Sequence, residues 1–395
     1  MSANLVDAHF VMKKYFFTKK RIKSYLALGL ALLMPSVAFS ALPAMVRVSL
    51  FQAHAPVQEL VVQGPFQLAT STPRTLGKGR YTLRMAQHQL LLCGPEPSRY
   101  CLRSQRFLLI PANGEKSVSL GLPNQPQRLY SGRLEFSMKS NHALRIINAL
   151  PTRDYVALVV GSETPSGWPM EALKAQAVLT QTRLFRYQPG DALDDTTQQE
   201  VYLGERHRRP EVVQAVTSVW DEILTIQGHP VTPFYHASCA GHTSGAEIFG
   251  QHHRLPGMTG VPCAGCRLAP FGKPTLHRIP AKTYADVFPP GLPKVTQRDQ
   301  AGRPLLVQFS NGSTQSGYAF WLAVGQRLGW DKAPGLYFSW RSTTDGQILF
   351  ESRGAGHGVG LCQYGAAALA RQHRSYQDIL NTYFPGAKTA KINMP

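Results

Sequence analysis

Residues 155–187 read YVALVVGSETPSGWPMEALKAQAVLTQTRLFRY, and their reading decides how the rest of the chain is understood. Residues 156–160 are a short apolar, β-branched run with the look of a strand, broken by Gly161, Pro165 and Gly167. Pro169 suits a first helical turn, where its missing N–H costs nothing, and residues 171–176 are helix formers. The junction leaves Glu163 in a turn between an apolar strand and a long helix. A carboxyl flanked by apolar walls loses hydration and its pKa rises, so it can hold a proton near neutrality and pass it to a leaving group. A surface-loop glutamate fits the same spacing, and the residue pattern alone leaves both readings open. Glu171 reads more simply as an acid favoured by the helix dipole.

Upstream, Lys13, Lys14, Lys19, Lys20, Arg21 and Lys23 precede an apolar run over residues 25–39 and then Ala38-Phe39-Ser40-Ala41. Basic, apolar and small-residue regions in that order predict a signal peptide over residues 1–40, with Met12 as an alternative start. Pro35 interrupts the run, which is short for a spanning helix, and an uncleaved membrane anchor is the competing reading. Export to a periplasm or cell wall is the expectation either way. The 395 residues carry a formal net charge of +19. Residues 1–40 account for six basic side chains and one acid, so the remainder keeps about +14. A basic exported chain meets anionic partners such as stem-peptide carboxylates, wall polymers and lipid head groups. Nucleic acid is set aside, because clustered Lys/Arg helices, zinc-finger spacings and aromatic–basic interleaving are missing.

Short alternating or β-branched runs separated by Gly and Pro predict a small antiparallel β-domain over residues 45–128. Cys93 and Cys101 bracket a seven-residue loop, and in an exported chain a disulfide closing it is the natural reading. Residues 120–128, with Pro123 and Pro126, read as a connection, and strands at 129–136 and 144–150 lead into the opening stretch. The long helix should stop near Gly190, where Gln188-Pro189-Gly190 supplies end signals, and residues 191–200 read as a polar loop. Further on, helices are expected at 210–220, 279–288, 318–328 and 376–385, and strands at 222–226 and 305–312. The fold class is α+β: a β-rich mixed domain over residues 129–390 with a long catalytic helix, preceded by the small β-domain.

Two later segments carry chemistry. Residues 234–245, FYHASCAGHTSG, run a strand into a turn of small polar residues, which would expose His236 to a cleft; a satisfied structural histidine is the alternative. Residues 352–366, SRGAGHGVGLCQYGA, set four glycines around His357. Such a loop permits close backbone approach and exposes amides suited to an oligosaccharide or an oxyanion, and it lacks the Lys-Ser/Thr of a phosphate loop. Cys239, Cys263, Cys266 and Cys362 suit tetrahedral zinc, with His236 or His242 able to replace one of them, while two disulfides compete in an oxidising compartment. Zinc held by four thiolates would be structural, since no position is left for water.

Ser162-Glu163-x-Pro165, followed by Trp168-Pro169-x-Glu171-Ala172-Leu173-Lys174-Ala175-Gln176-Ala177-Val178 and then Thr182-Arg183, resembles the core motif of the SpoIID/LytB family. This family comprises the sporulation stage II protein D and amidase-enhancer proteins of bacterial cell walls. The resemblance implies that Glu163 is the catalytic acid of a lytic transglycosylase, with Thr164 in place of the usual methionine. Residues 235–243 and 354–366 resemble the family's Tyr-His-Ser-x-x-Gly-Gly-x-Thr and Gly-x-Gly-His-Gly-Val-Gly-Met-x-Gln-x-Gly-Ala segments, with Ala240 for a glycine and Leu361 for the methionine. By resemblance His236, His357 and Gln363 become substrate-binding residues of a cleft. Metal binding occurs in the family, and some members carry cysteines near these motifs. The match is close over residues 129–390 and loose over 45–128.

A glycosidase that uses water generally needs two carboxylates, and here only Glu163 has a convincing setting. A lytic transglycosylase manages with one. The resemblance thus implies cleavage of MurNAc–GlcNAc bonds in peptidoglycan glycan strands, stripped of stem peptides, to 1,6-anhydro products, with no cofactor required beyond a structural zinc. The rival reading is a non-catalytic peptidoglycan-binding enhancer whose partner is a cell-wall amidase. A zinc peptidase fits less well, because no His-Glu-x-x-His is present.

Overall fold

Alternation builds the first sheet. In Met45–Ser49 the valines Val46 and Val48 face inward and are fully buried, the period expected of a strand covered on one face. This strand pairs antiparallel with Ala143–Pro151, Val46 opposite Leu150. Ala143–Pro151 pairs on its other side with Arg133–Lys139, and that strand in turn with Arg106–Pro111, Phe136 opposite Phe107. The computed structural model describes residues 41–392 except 71, 87, 96–99, 140–142, 186, 188–191, 197–199, 251–254 and 290. The leader expected over residues 1–40 and the stop signals at 188–190 lie outside the described residues.

With Phe66–Leu68, Arg74–Leu76 and the short Leu193–Asp194, these strands make a seven-stranded sheet among the described residues. A six-stranded sheet runs Arg128–Tyr130, Val118–Gly121, Glu59–Gln63, Arg80–Ala86, Gln89–Cys93 and Cys101–Ser104. Cys93 lies opposite Cys101 across its last two strands, and the two are joined by a disulfide. The fold is therefore mixed, of the α+β kind. The small β-domain expected over residues 45–128 is not a separate unit. Arg133–Lys139 satisfies its backbone by pairing with Arg106–Pro111 across that boundary, and one hydrophobic core runs from Val46 to Ala387.

The apolar run 156–160 is not a strand. It lies inside a helix, α1 (Thr152–Glu163), entered through Pro151 at φ −55° and ψ 139°. Tyr155 to Gly161 are all buried, so the helix is enclosed on every side. β-Branching costs a helix only a few tenths of a kcal/mol per residue, roughly, and that enclosure outweighs it. A short apolar run cannot be distinguished from a buried helix by period alone. Gly161 lets the neighbouring segment close in, since a Cβ there would sit 2.1 Å from the His207 carbonyl oxygen.

The second helix, α2 (Met170–Leu184), begins after Pro169 as its N-cap and stops short of the expected end at 190. Just beyond it the Tyr187 hydroxyl accepts the Arg47 N–H at 3.1 Å, tying the chain back to the first sheet. A third helix, α3 (Pro210–Ser218), carries proline in its first turn and buries Val212, Ala215 and Val216 at helical spacing. Helices Gln363–Arg371 and Tyr376–Tyr383 also pack on α2. Glu171 joins α2 to the last of these: its Oε2 accepts the first N–H of that helix, that of Tyr376, at 2.8 Å. In the middle of the chain, residues 279–288 depart from the expected helix. Thr275–Pro280 is a strand paired with Gln347–Arg353, followed by a short helix at Ala281–Ala285. Gly317–Leu328 is helical and capped by Gly329 as expected, and Trp340 is half-buried against the core, stacked on Phe338 and Phe350.

Candidate active site

Glu163 is the last residue of α1, not a residue of a strand–helix turn. The correction matters electrostatically. Free carbonyls at a helix C-terminus carry partial negative charge, which disfavours an ionised carboxylate there. The Thr164 hydroxyl donates back to the Val160 carbonyl at 2.6 Å, and Arg209 grips Thr164 through its carbonyl at 2.9 Å and its Oγ1 at 3.0 Å, so the helix end is held still. Glu163 Oε1 accepts from the Val201 N–H at 2.8 Å and from the Tyr235 hydroxyl at 3.0 Å. The residue remains partly exposed, yet desolvation raises its pKa against the opposing pull of Val201, Tyr235, Arg183 and Gln363.

Directly behind it stands a second carboxylate that sequence reading placed in a polar loop. Glu200 is sealed, with its side chain 0% exposed. Its Oε1 accepts from Thr180 Oγ1 at 2.9 Å and lies 3.7 Å from Arg183 Nε, and Tyr155 donates to its Oε2 at 3.5 Å. The Tyr235 hydroxyl, already on Glu163, is also 3.4 Å from Glu200 Oε1. Burial pushes Glu200 up to about 7, Arg183 pulls it down, and the Glu163 charge pushes it up again. Two carboxylates facing one guanidinium cannot both ionise cheaply, so the pair retains a proton near neutrality.

The glycine-rich segment closes the other side. Tyr235–His236 pairs in parallel with Leu361–Cys362, Tyr235 opposite Leu361. The loop before that strand does not offer its glycines to a ligand. Gly354, Gly356, Gly358 and Gly360 all have positive φ, and a Cβ at Gly360 would meet the Phe234 carbonyl oxygen at 2.1 Å. The amides of Ala355 and Leu361 go to Ser238 and Phe234 carbonyls, so the close approach is to the protein's own chain. His236 and His357 are 4% and 8% exposed, with ring centroids 5.7 Å apart. His236 Nδ1 lies 3.1 Å from the Val359 carbonyl oxygen, and His357 Nδ1 accepts the Val359 N–H at 3.0 Å. Burial holds His236 down to about 3, so its ring is neutral. Gln363 opens the helix beyond, its Nε2 reaching the Glu163 carbonyl at 3.4 Å and Gln176 Oε1 at 3.3 Å.

Cys239, Cys263, Cys266 and Cys362 converge behind this strand pair, all four sulfurs within 4.8 Å of one another and all buried. Four thiolates around zinc at bonds of about 2.3 Å would sit about 3.8 Å apart, so the donor set fits. The Gly241 N–H points at Cys266 Sγ at 3.2 Å and the Gly365 N–H at Cys362 Sγ at 3.4 Å, the setting that stabilises thiolates. Cys239 and Cys266 sulfurs are 3.3 Å apart, beyond a covalent disulfide of about 2.05 Å. Neither His236 nor His242 joins the cluster.

The functional residues that sequence reading passed over are Glu200, Tyr235 and Arg183. A signal for them existed in α2, where Gln176, Thr180 and Arg183 fall on one face of the helix. A buried polar stripe needs partners: Glu200 meets Thr180 and Arg183, and Gln363 meets Gln176.

The α+β scaffold thus ends a buried helix on a carboxyl raised above its ordinary range, backed by a sealed second one. A family profile described as "SpoIID: Stage II sporulation protein" matches residues 140–226, the span that holds α1, α2, Glu163 and Glu200. An uncharacterised protein of Brachyspira hyodysenteriae is 30% identical over 277 residues, covering 67% of this chain and 73% of that protein. Stage II sporulation protein D of Bacillus subtilis is 26% identical over 272 residues, 62% of this chain and 76% of that protein. The amidase enhancer of the same organism is 26% identical over 279 residues, 58% of this chain but 39% of that longer protein. The chain belongs to the SpoIID/LytB family.

Proposed function

We propose that this protein is an exported lytic transglycosylase that cuts MurNAc–GlcNAc bonds in peptide-stripped peptidoglycan strands. The observation that carries the reading is the contrast between its two neighbouring carboxylates. Glu163 is partly open to solvent, whereas Glu200 is sealed and cannot touch a sugar. One reachable carboxyl suits a reaction in which the substrate supplies its own nucleophile. Protonated Glu163 gives its proton to the glycosidic oxygen as the C1–O bond breaks. The resulting carboxylate then takes the proton of the muramic 6-hydroxyl as that oxygen bonds to C1, closing the 1,6-anhydro ring and restoring Glu163. Water enters neither step.

Trp168 and Tyr364, partly exposed and edge to face at 5.5 Å, provide an aromatic wall beside Gln363 against which sugar rings can pack. Gln363 orients Glu163 by holding its carbonyl. His236 and His357, buried against Val359, serve the substrate through the loop they brace. Cys239, Cys263, Cys266 and Cys362 would hold one structural zinc, fastening both strands of the Tyr235–Leu361 pair.

A second reading is a glycan-binding enhancer of a wall amidase that does not cut. The relative named amidase enhancer and the strongly basic composition favour it. Purified, peptide-free glycan strands decide between the two. Anhydro-ended products seen by mass spectrometry with the native protein and lost in Glu163→Gln support the enzyme. Binding without product from the native protein supports the enhancer.

A further inference from the structure

We propose that Glu200 is a positioning residue of this site and acts through Tyr235, whose single hydroxyl hydrogen turns toward Glu200 while Glu163 holds the proton and toward Glu163 once that proton has gone. The proposal rests on the reading of Glu163 as the acid.

The geometry poses a counting problem. The Tyr235 hydroxyl lies 3.0 Å from Glu163 Oε1 and 3.4 Å from Glu200 Oε1, but it has one hydrogen to donate. With both carboxyls ionised, one contact would be oxygen against oxygen without a hydrogen between. With one proton on the pair, every contact is satisfied in either of two arrangements. The remaining groups facing Glu200 are Thr180, Tyr155 and Arg183, and those facing Glu163 are the Val201 N–H and Gln363. Arg183 is the one cation among them; it lies 3.7 Å from Glu200 and also pulls on Glu163. We place the resting charge on Glu200, nearest Arg183 and Thr180, and the proton on Glu163, the less enclosed residue of the two.

Each half-reaction gains from this arrangement. While Glu200 is ionised, its charge discourages Glu163 from losing its proton to water, so the acid stays loaded. After Glu163 has passed its proton to the leaving oxygen, two like charges face each other across Tyr235. The hydroxyl then turns to Glu163 and steadies it, and the residual repulsion makes Glu163 a stronger base toward the 6-hydroxyl. Taking up that proton returns the hydroxyl to Glu200. No proton leaves the set over the cycle, and Glu200 never meets the substrate.

The test is the pH dependence of product formation on peptide-free strands, comparing native protein, Glu200→Gln and Tyr235→Phe. Glu200→Gln should move the alkaline limb down by about one pH unit, so that activity at pH 8 falls about tenfold while activity at pH 5 stays near native. Tyr235→Phe should lower kcat with KM little changed. A Glu200→Gln profile that superimposes on the native one, or that falls equally at every pH, overturns the proposal. Carboxyl titration by 13C NMR of glutamate-labelled native protein separates failure of the relay from failure of the enzyme reading and needs no variant to fold. Two interacting carboxyls titrating above the ordinary range support the relay even if no product forms. Independent titrations in the ordinary range overturn it even if product does form.

Discussion

The end of α1 and the loop of residues 354–360 are the two segments richest in motif residues, yet they put them to opposite uses. At Glu163 the backbone is held rigid so that one polar group can stay partly open and hold a proton. In the loop, four glycines and two histidines are consumed in packing the chain against itself. A dense motif can therefore mark chemistry or architecture: the Glu163 carboxyl is desolvated and raised in pKa, whereas the two imidazoles are buried and turn their Nδ1 atoms to the Val359 backbone.

The comparison breaks most sharply at Glu163. Glu163→Gln should remove at least about a thousandfold of anhydro-product formation while leaving unfolding within about 1 kcal/mol of native, measured by product analysis and urea melts. On the loop side, Cys266→Ser should release the zinc we assign to the thiols and cost on the order of 4 kcal/mol, read as metal content and as a lowered melting temperature. Gly360→Ala, at φ 72° and with its Cβ forced to 2.1 Å from the Phe234 oxygen, should cost about 3 kcal/mol by urea unfolding. Activity in that variant should fall only as far as the folded fraction falls.

The smallest effect sharpens the comparison instead of breaking it. The Glu163–Glu200 pair shares one proton, held from an ordinary 4.5 up to about 7. Below the lower value the folded and unfolded chains both hold the proton. Between the two the unfolded chain releases it and the folded chain does not, so stability should decline as pH rises through that window and level off above it. The decline should total about 3 kcal/mol, and Glu200→Gln should flatten it.

Much of the scaffold was legible in local pattern. Alternation marked the strand Met45–Ser49, Pro169 marked the start of α2, Gly329 marked the end of Gly317–Leu328, and the spacing of Cys93 and Cys101 marked their bridge. Residues 156–160 misled because β-branching signals a strand, while enclosure, which made them helical, leaves no local trace. The boundary expected near 128 misled for a related reason: a proline-rich connection looks the same whether the strands on either side separate or share a sheet.

The sequence by itself supplied Glu163 as a candidate, much of the strand-and-helix vocabulary and the family resemblance, because each is written in neighbouring residues. Only the tertiary structure decided that Glu163 ends a helix, that Glu200 stands behind it with Tyr235 between, and that four distant cysteines meet. Charge coupling and thiol clustering depend on distances of a few ångströms between residues far apart along the chain, and spacing in sequence carries no such information.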